Sequence, residues 1–280
     1  MRLRRFGRTP KERLQDMMVN VAAVMVLILL VVSIRGVMSG RRVSMKAADV
    51  AAMRAPVDAV LTLRRLAAAQ GLDFGDVLAV YMLDNGFFRK AAEPMSEDAL
   101  ITQYVGGHKK KKRALGEKTV APYASFLRRL TLEITCFPVQ DGEVMYGDSF
   151  GAARRNGSYI GIDLFDELRE PGRLRVVAMA RGVVTEVKQN QADGHYVLIK
   201  SDAGTLYKYA HLAYVNADIV PGAKLEAGAS LGYMGDSGSD GYNELFPVRL
   251  TVSVRIESDV FKGAAWVNPY IFLRLIENGY

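Results

Sequence analysis

The chain has 280 residues, about half of them apolar and about a quarter charged, with a formal net charge of +7. This composition supports a packed core and argues against disorder of the whole chain. The basic excess suits an anionic membrane or wall surface, and no nucleic-acid-binding motif accompanies it, so nucleic acid is not expected as a partner. The single Cys136 allows no intrachain disulfide, and its apolar neighbours predict a buried side chain.

An apolar run without charge covers Met17–Ile34. As a helix it would span ~27 Å, which is enough for the hydrocarbon core of a bilayer. Arg35 follows directly and no small-residue cleavage site is evident, so an uncleaved anchor is favoured over a signal peptide. Six basic residues lie in the sixteen positions before the run and four in the sixteen after it. We therefore expect a single-pass protein of the cell membrane, with a cytoplasmic tail over 1–16, a transmembrane helix over 17–34 and the remainder outside the cytoplasm.

The next region, 35–139, is predicted to be helical and close to the membrane. From about Ala47 to Leu132, apolar residues recur at three- and four-residue spacing. Gly71 and Gly86 are predicted to follow helix ends, and Ser96 is predicted to cap a helix start. The basic segment "HKKKKR", 108–113, is interpreted as a solvated loop, with electrostatic contact to anionic lipid or wall polymer as the alternative.

Beyond Phe137 the pattern changes to short β-branched runs separated by Gly, Asp and Asn. Period-two alternation with frequent turn residues predicts an all-β domain over 140–280. The fold class is therefore α+β, with a transmembrane helix, a helical membrane-proximal region and a C-terminal β domain.

Six segments between Tyr146 and Leu273 follow one another in a characteristic order: "YGDSFGAARRNGSYIGIDLF", "VVAMARGVVTEV", "GHYVLIKSDAGTLYKYAHL", "VPGAKLEAGASLGYMGDSG", "FPVRLTVSV" and "VNPYIFL". Together they resemble the LytM-type M23 family of zinc peptidoglycan peptidases. The resemblance implies that the β domain is built on an antiparallel sheet. The stretch from Leu61 through "ITCFPV" also resembles the helical region that precedes this domain in membrane-bound clostridial members.

In this family two His and one Asp bind zinc and leave one position open for water, while two further His assist. The resemblance places Tyr159 where the first ligand His stands and keeps the ligand Asp as Asp163. The assisting His of the "YAHL" segment is His211. The late His-x-His pair is replaced by Arg249, at the assisting position, and by Thr251, at the ligand position.

Only one of the three metal ligands therefore remains. Neutral Tyr and Thr are poor zinc ligands, and Arg stays protonated and cannot coordinate. We expect a pseudoenzyme that binds neither zinc nor another cofactor. Arg249 is hypothesised to occupy the former metal position and to pair with Asp163, because a buried carboxylate is costly without a partner. The residues Tyr159, Asp163, His211 and Arg249 are candidates for contact with a ligand or partner.

The remaining histidines offer no replacement site. His195 is predicted to lie on the surface or in a turn, and His108 belongs to the basic segment. A faint resemblance of "AQGLDFGDVLAVYMLDNGFF" to lytic transglycosylases places Asp84 at the catalytic Glu position. Asp is one methylene shorter than Glu, so a structural helix is favoured there.

The expected function is that of an inactive, membrane-anchored LytM-type domain. It would act as a cell-envelope scaffold or as a regulator of peptidoglycan hydrolysis by binding a partner protein or peptidoglycan. The alternatives are an active zinc-dependent peptidoglycan endopeptidase with altered ligands and a peptidoglycan-binding anchor without a protein partner. Homo- and hetero-oligomers both remain open.

Overall fold

The computed structural model describes residues 46–89, 94–154, 157–238 and 247–280. The predicted cytoplasmic tail and transmembrane helix, 1–34, lie outside these ranges. Within them, no helix is both long enough and apolar enough to cross a membrane.

Helices occupy the first half of the described chain, as the 3.6-residue periodicity predicts. The Ser96 side chain accepts a hydrogen bond from the Ala99 N–H at 3.3 Å, and Gly71 and Gly86, both with positive φ, follow helix ends. The helices are α1 (Ala47–Ala52), α2 (Val57–Ala69), α3 (Phe74–Asp84), a 3₁₀ turn (Gly86–Phe88), α4 (Glu97–Leu100), a π-helical turn (Ile101–Val105), α5 (His108–Leu115) and α6 (Glu117–Glu133).

The basic segment is a helix, and its interpretation as a loop was wrong. It forms most of α5, which packs against α3. Lys111 forms an ion pair with Asp84 at 2.5 Å, and Lys112 forms one with Asp76 at 2.6 Å. These tertiary partners offset the mutual repulsion that a run of like charges suggests when the sequence is considered alone.

An antiparallel sheet dominates the second half, which confirms the predicted sheet, but a closing helix follows it that the prediction of an all-β domain did not include. Its order is β1-β6-β11-β9-β12-β5-β2; in addition, β8 joins β9 to β7, β10 pairs with β7, and β13 pairs with β12. A separate hairpin is formed by β3 and β4. The elements are β1 (Val139–Gln140), β2 (Val144–Tyr146), β3 (Ala153–Arg154), β4 (Gly157–Ser158), β5 (Ile162–Asp166), β6 (Arg175–Val177), β7 (Gly182–Asn190), β8 (Gly194–Lys200), β9 (Leu206–Val215), β10 (Lys224–Leu225), β11 (Ser230–Met234), β12 (Arg249–Ser258), β13 (Gly263–Val267) and a closing helix α7 (Tyr270–Glu277).

One hydrophobic core includes side chains of both the helices and the sheet. Hydrogen bonds also join the helical region to the sheet region. The buried Asn268 donates from its backbone to Ala51 O and from its side chain to Ala52 O, each at 2.8 Å. The Tyr207 hydroxyl donates to Glu133 Oε2 at 2.7 Å. Residues 45–280 accordingly form one compact unit.

Cys136 is only half-buried, so the expectation of a buried side chain was wrong. It lies in the short connection between α6 and β1, where the chain passes from the helices to the sheet. Its Sγ is 3.5 Å from Phe137 O and 3.8 Å from Gln140 Nε2. Burial of the thiol raises its pKa.

Candidate functional site

Strand β12 presents two different faces. Leu250, Val252 and Val254 are buried in the core, while Arg249 and Thr251 project to the opposite side. This alternation follows from the period-two geometry of a strand. The polar residues Arg249 and Thr251 of "FPVRLTVSV" therefore share one face of β12, next to the neighbouring strand β5.

Register brings the predicted site residues together. Thr251 lies directly opposite Asp163 of β5 on one side and Ala210 of β9 on the other. Residues directly opposite in adjacent strands project to the same face. The carboxyl group of Asp163, the hydroxyl group of Thr251 and the guanidinium group of Arg249 therefore meet on that face.

Gly161 lets the chain enter β5 close to β12. A Cβ added there would lie 2.7 Å from Ser253 Oγ and 2.8 Å from Val252 O. No larger residue fits without displacing backbone, so glycine fixes this close approach. Tyr159, two residues earlier, is thereby directed toward Asp163.

The Asp163 carboxylate accepts two hydroxyl hydrogen bonds on one oxygen. Tyr159 donates a short hydrogen bond to Oδ1, and Thr251 donates to the same oxygen at 2.5 Å. The Tyr159 and Thr251 hydroxyl oxygens are 3.0 Å apart. Burial, together with the charge of Asp163, raises the pKa of Tyr159, so this hydroxyl stays protonated and remains a donor.

Arg249 provides the positive charge beside this carboxylate. Its side chain is 10% exposed and its Nε lies 3.7 Å from Asp163 Oδ1. Its Nη2 lies 3.2 Å from His211 Nε2. The guanidinium group thus lies between the remaining carboxylate and the remaining histidine of the predicted site.

His211 occupies a β-bulge with φ of 67°. Val197 of β8 pairs with Tyr209 of β9, but His195 of β8 pairs with Leu212, so β9 has one extra residue between these pairs. Its Nδ1 is 2.8 Å from Ser237 O, and a carbonyl can only accept, so Nδ1 carries the proton. The Nε2 lone pair then accepts from Arg249. Burial and the Arg249 charge lower the pKa of His211, which favours this neutral form.

A second arginine covers the outer side of the cluster. Arg154 of β3 lies with its guanidinium carbon 4.4 Å from the centre of the Tyr159 ring, a cation–π contact. Its Nη2 is 3.9 Å from Asp163 Oδ2. Half of the Arg154 side chain remains exposed, so this residue forms the boundary between the cluster and solvent.

This donor set does not fit a zinc ion. Asp163 Oδ1 is directed at two hydroxyl donors, and a fixed cation stands close to it. A zinc site needs deprotonated or neutral lone-pair donors, usually three from the protein in catalytic sites. No group of three or more His, Cys, Asp or Glu side chains is placed to hold a metal among the residues the structure describes. The Nε2 of His211 is also engaged by Arg249, so it does not face an open position as a base.

The other candidate residues lie elsewhere. His195 is half-buried as the second residue of β8, and its backbone N–H donates to Ser237 Oγ at 3.0 Å. His108 is buried on α5, with Nε2 3.0 Å from Asp76 Oδ2. Asp84 ends α3, where it accepts from the Tyr104 hydroxyl and from Lys111. These contacts give Asp84 a structural role, since they join the end of α3 to Tyr104 and to α5.

Three contributors to the site were not predicted from the sequence: Arg154, Ser149 and Ser237. Ser149 Oγ accepts from the Asp163 N–H at 3.2 Å. A signal for Arg154 exists, since the following Asn-Gly dipeptide at 156–157 is typical of a hairpin that returns the chain past Arg154. The two serines act from loops, and their contacts have no comparable sequence pattern.

The antiparallel sheet, with Asp163 and His211 on it, is consistent with the resemblance drawn from the sequence, and comparisons with known proteins agree. Residues 139–260 match the model of peptidase family M23. This segment is therefore similar to peptidase family M23, which confirms the M23 resemblance inferred for the β domain from the sequence. No curated protein matches the chain.

Solved structures extend the similarity. A Ruminococcus gnavus protein named as a glycyl-glycine endopeptidase LytM is 27% identical over 84% of this chain and 92% of its own, with a TM-score of 0.65. That coverage includes helices as well as the sheet. The catalytic domain of lysostaphin from Staphylococcus simulans is 23% identical, over 47% of this chain and 92% of its own, with a TM-score of 0.37. A zinc-containing peptidase from Vibrio cholerae is 18% identical, over 44% of this chain and 36% of its own, with a TM-score of 0.36.

Proposed function

We propose that this chain is a catalytically inactive member of the M23 peptidases, anchored in the cell membrane by a single span with the domain outside the cytoplasm. It acts as a cell-envelope scaffold or as a regulator of peptidoglycan hydrolysis. In either role it binds a partner protein or peptidoglycan rather than cutting it. The relationship to peptidoglycan peptidases supports the cellular setting.

One observation carries the proposed loss of catalysis, namely the position of Arg249. Its permanent charge lies 3.7 Å from the remaining ligand carboxylate and 3.2 Å from the remaining histidine. A zinc ion placed among these groups would meet electrostatic repulsion from the guanidinium group at short range. The two hydroxyl donors on Asp163 further reduce the capacity of that oxygen to coordinate.

A face suited to binding remains around the site. Gly235 pairs with Arg249, and Tyr233 lies two residues before Gly235, so it projects from the same face as Arg249. Tyr214 lies opposite Tyr233, with ring centres 5.1 Å apart, and is 49% exposed. Exposed aromatic rings beside charged groups are frequent in recognition surfaces. This pair supports a role in holding a ligand or partner.

Zinc content tests the proposal directly. The purified full chain is incubated with zinc, freed of excess metal and analysed by elemental analysis. We expect less than about 0.1 zinc per chain, because only one ligand of the usual three remains. About one zinc per chain, lost on Asp163→Ala, would contradict the proposal and favour an active endopeptidase with altered ligands.

A reconstructed site provides the positive control. The triple substitution Tyr159→His, Arg249→His and Thr251→His restores histidine at the two changed ligand positions and at the changed assisting position. We expect this variant to bind about one zinc, since the strands already place these positions on one face. Comparison of both proteins in a wall-digestion assay then separates loss of metal from loss of the fold.

Sedimentation with purified peptidoglycan distinguishes the remaining alternatives. Retention of the wild-type chain, reduced by Tyr214→Ala with Tyr233→Ala, would favour a peptidoglycan-binding anchor. A lack of retention, combined with cross-linking to an envelope protein that the same two substitutions abolish, would favour the scaffold or regulator. Two exposed apolar residues outside β9 and β11, changed as Leu132→Ala with Leu168→Ala, serve as the control.

A further inference from the structure

Helix α5 has an inner face that is fully engaged in tertiary contacts. His108 is buried with Nε2 3.0 Å from Asp76 Oδ2, and Lys112 Nζ is 2.6 Å from the same oxygen. Lys111 Nζ is 2.5 Å from Asp84 Oδ2. These contacts fix the rotation of α5 against α3.

The outer face of α5 displays three cations. Lys109, Lys110 and Arg113 are exposed, and no carboxylate in the described parts of the chain forms an ion pair with them. Lys109 and Arg113 are four residues apart, and Lys110 and Arg113 are three apart, so the charges neighbour one another on the helix surface. We call Lys109, Lys110 and Arg113 the outer basic face.

The outer basic face destabilises helix α5. Like charges at spacings of three and four residues repel. Lysines in the first turn also face the positive end of the helix dipole, where acidic residues are favourable. No acidic residue occurs from 101 to 116 to compensate. Local features that oppose their own element commonly mark a functional surface, and a bound anionic surface would relieve both effects.

We propose that the outer basic face of α5 docks on the anionic headgroups of the membrane that anchors the chain. The inference rests on the proposed anchor. The described region begins at Lys46, twelve residues after the apolar run ends at Ile34. Twelve extended residues reach at most ~40 Å, so Lys46, the first described residue, cannot lie further than that from the end of the apolar run. The outer basic face belongs to a folded region on this short tether, and its three cations complement anionic headgroups in charge.

Energy transfer between the protein and the lipid surface tests the docking. The full chain, with Cys136→Ser, receives a donor fluorophore at Ala114→Cys, an exposed position on α5. It is incorporated into vesicles of phosphatidylcholine alone, or of phosphatidylcholine with phosphatidylglycerol, that carry a headgroup acceptor. We expect transfer to rise with phosphatidylglycerol and to fall with added salt.

Two charge-matched variants give the comparison. The first variant combines Lys109→Gln, Lys110→Gln and Arg113→Gln. We expect it to weaken the binding that depends on phosphatidylglycerol by roughly a hundredfold. The second variant removes three exposed cations elsewhere, by Lys224→Gln, Arg255→Gln and Lys262→Gln. We expect it to leave the binding to phosphatidylglycerol unchanged. Circular dichroism verifies that both variants are folded.

Clear outcomes would overturn the inference. An equal response of the two triple variants, or no response of the wild type to phosphatidylglycerol, would exclude docking through this face. A response to soluble poly(glycerol phosphate) but not to phosphatidylglycerol would reassign the face to a wall polymer and overturn the membrane docking. Co-flotation of the chain with pure phosphatidylcholine vesicles tests the membrane anchor alone, and zinc content tests the loss of catalysis. A failure of the docking can therefore be distinguished from a failure of the proposed function.

Discussion

At the scale of single residues, Asp163 depends on its hydroxyl partners as well as on Arg249. Tyr159 donates to Oδ1, and burial keeps that hydroxyl protonated. Tyr159→Phe removes one donor to a buried carboxylate. We expect the free energy of unfolding to fall by about 1.5–3 kcal/mol, the range for hydrogen bonds to charged groups.

Tyr214→Phe is the matched control, since the hydroxyl of this exposed side chain has no hydrogen bond to the described protein. Urea unfolding of both variants gives the comparison. Equal losses in the two variants would show that the contact with Asp163 contributes nothing specific.

The pH dependence of stability reports on His211. Burial and Arg249 lower its pKa from the ordinary value of 6.5, so the unfolded chain binds a proton more readily than the folded one. Stability therefore decreases as the pH falls through and below 6.5. His211→Asn retains a residue type that tolerates positive φ and removes the titration.

We expect the stability difference between wild type and His211→Asn to become smaller between about pH 7.5 and about pH 5.5. Denaturant unfolding at both pH values measures it. A difference that stays constant, or that increases on acidification, would contradict a neutral buried His211.

At the scale of elements, α5 separates structural from exposed lysines. Lys112 is 30% exposed and pairs with Asp76, which is 15% exposed, whereas Lys110 points to solvent. Lys112→Gln should lower the free energy of unfolding by about 1 kcal/mol. Lys110→Gln should raise it by about 0.3 kcal/mol, because it removes repulsion and an unfavourable dipole contact. Urea unfolding of the two variants tests this asymmetry, and equal effects would refute the two-face description of α5.

The same helix shows where sequence reasoning reaches its limit. Periodicity and capping residues predicted most of the helices, and turn residues with alternation predicted the sheet. The basic segment was mistaken for a loop because its stabilising partners, Asp76 and Asp84, lie 27–36 residues away in the sequence. Long-range ion pairs leave no local pattern.

The candidate site divides in a similar way. Family-like segments and strand alternation were enough to select Tyr159, Asp163, Arg249 and Thr251, and their grouping follows from strand register. The bulge at His211, and the neutral form that it takes, depend on backbone conformation and burial. Neither property can be derived from residue type.

At the scale of the whole molecule, helices and sheet share one core. Asn268 links β13 and α7 to α1, and its side chain also donates to Asp148 at 2.9 Å. Asn268→Ala leaves buried acceptors without donors, so we expect a loss of about 3 kcal/mol. Asn278→Ala, an exposed change at the end of α7, should cost less than about 0.5 kcal/mol.

Two probes follow the unfolding of these variants. Far-ultraviolet circular dichroism reports mainly the helices, and the fluorescence of the single Trp266 reports β13. Coincident transitions are expected for one cooperative unit. Separate transitions would mean that the helical region folds independently of the sheet.

Because Arg249 is part of the chain, the positive charge beside Asp163 is present at a different time from the charge of a bound metal ion. A metal arrives after folding, in an amount set by the surroundings, and chelators or competing ions can remove it. A guanidinium group is made together with the chain and stays protonated throughout the physiological pH range. The charge beside Asp163 is therefore present in every copy of the chain from synthesis onward, whatever the supply of zinc. The cluster around Asp163 is therefore complete as soon as the chain has folded, without a metal-loading step.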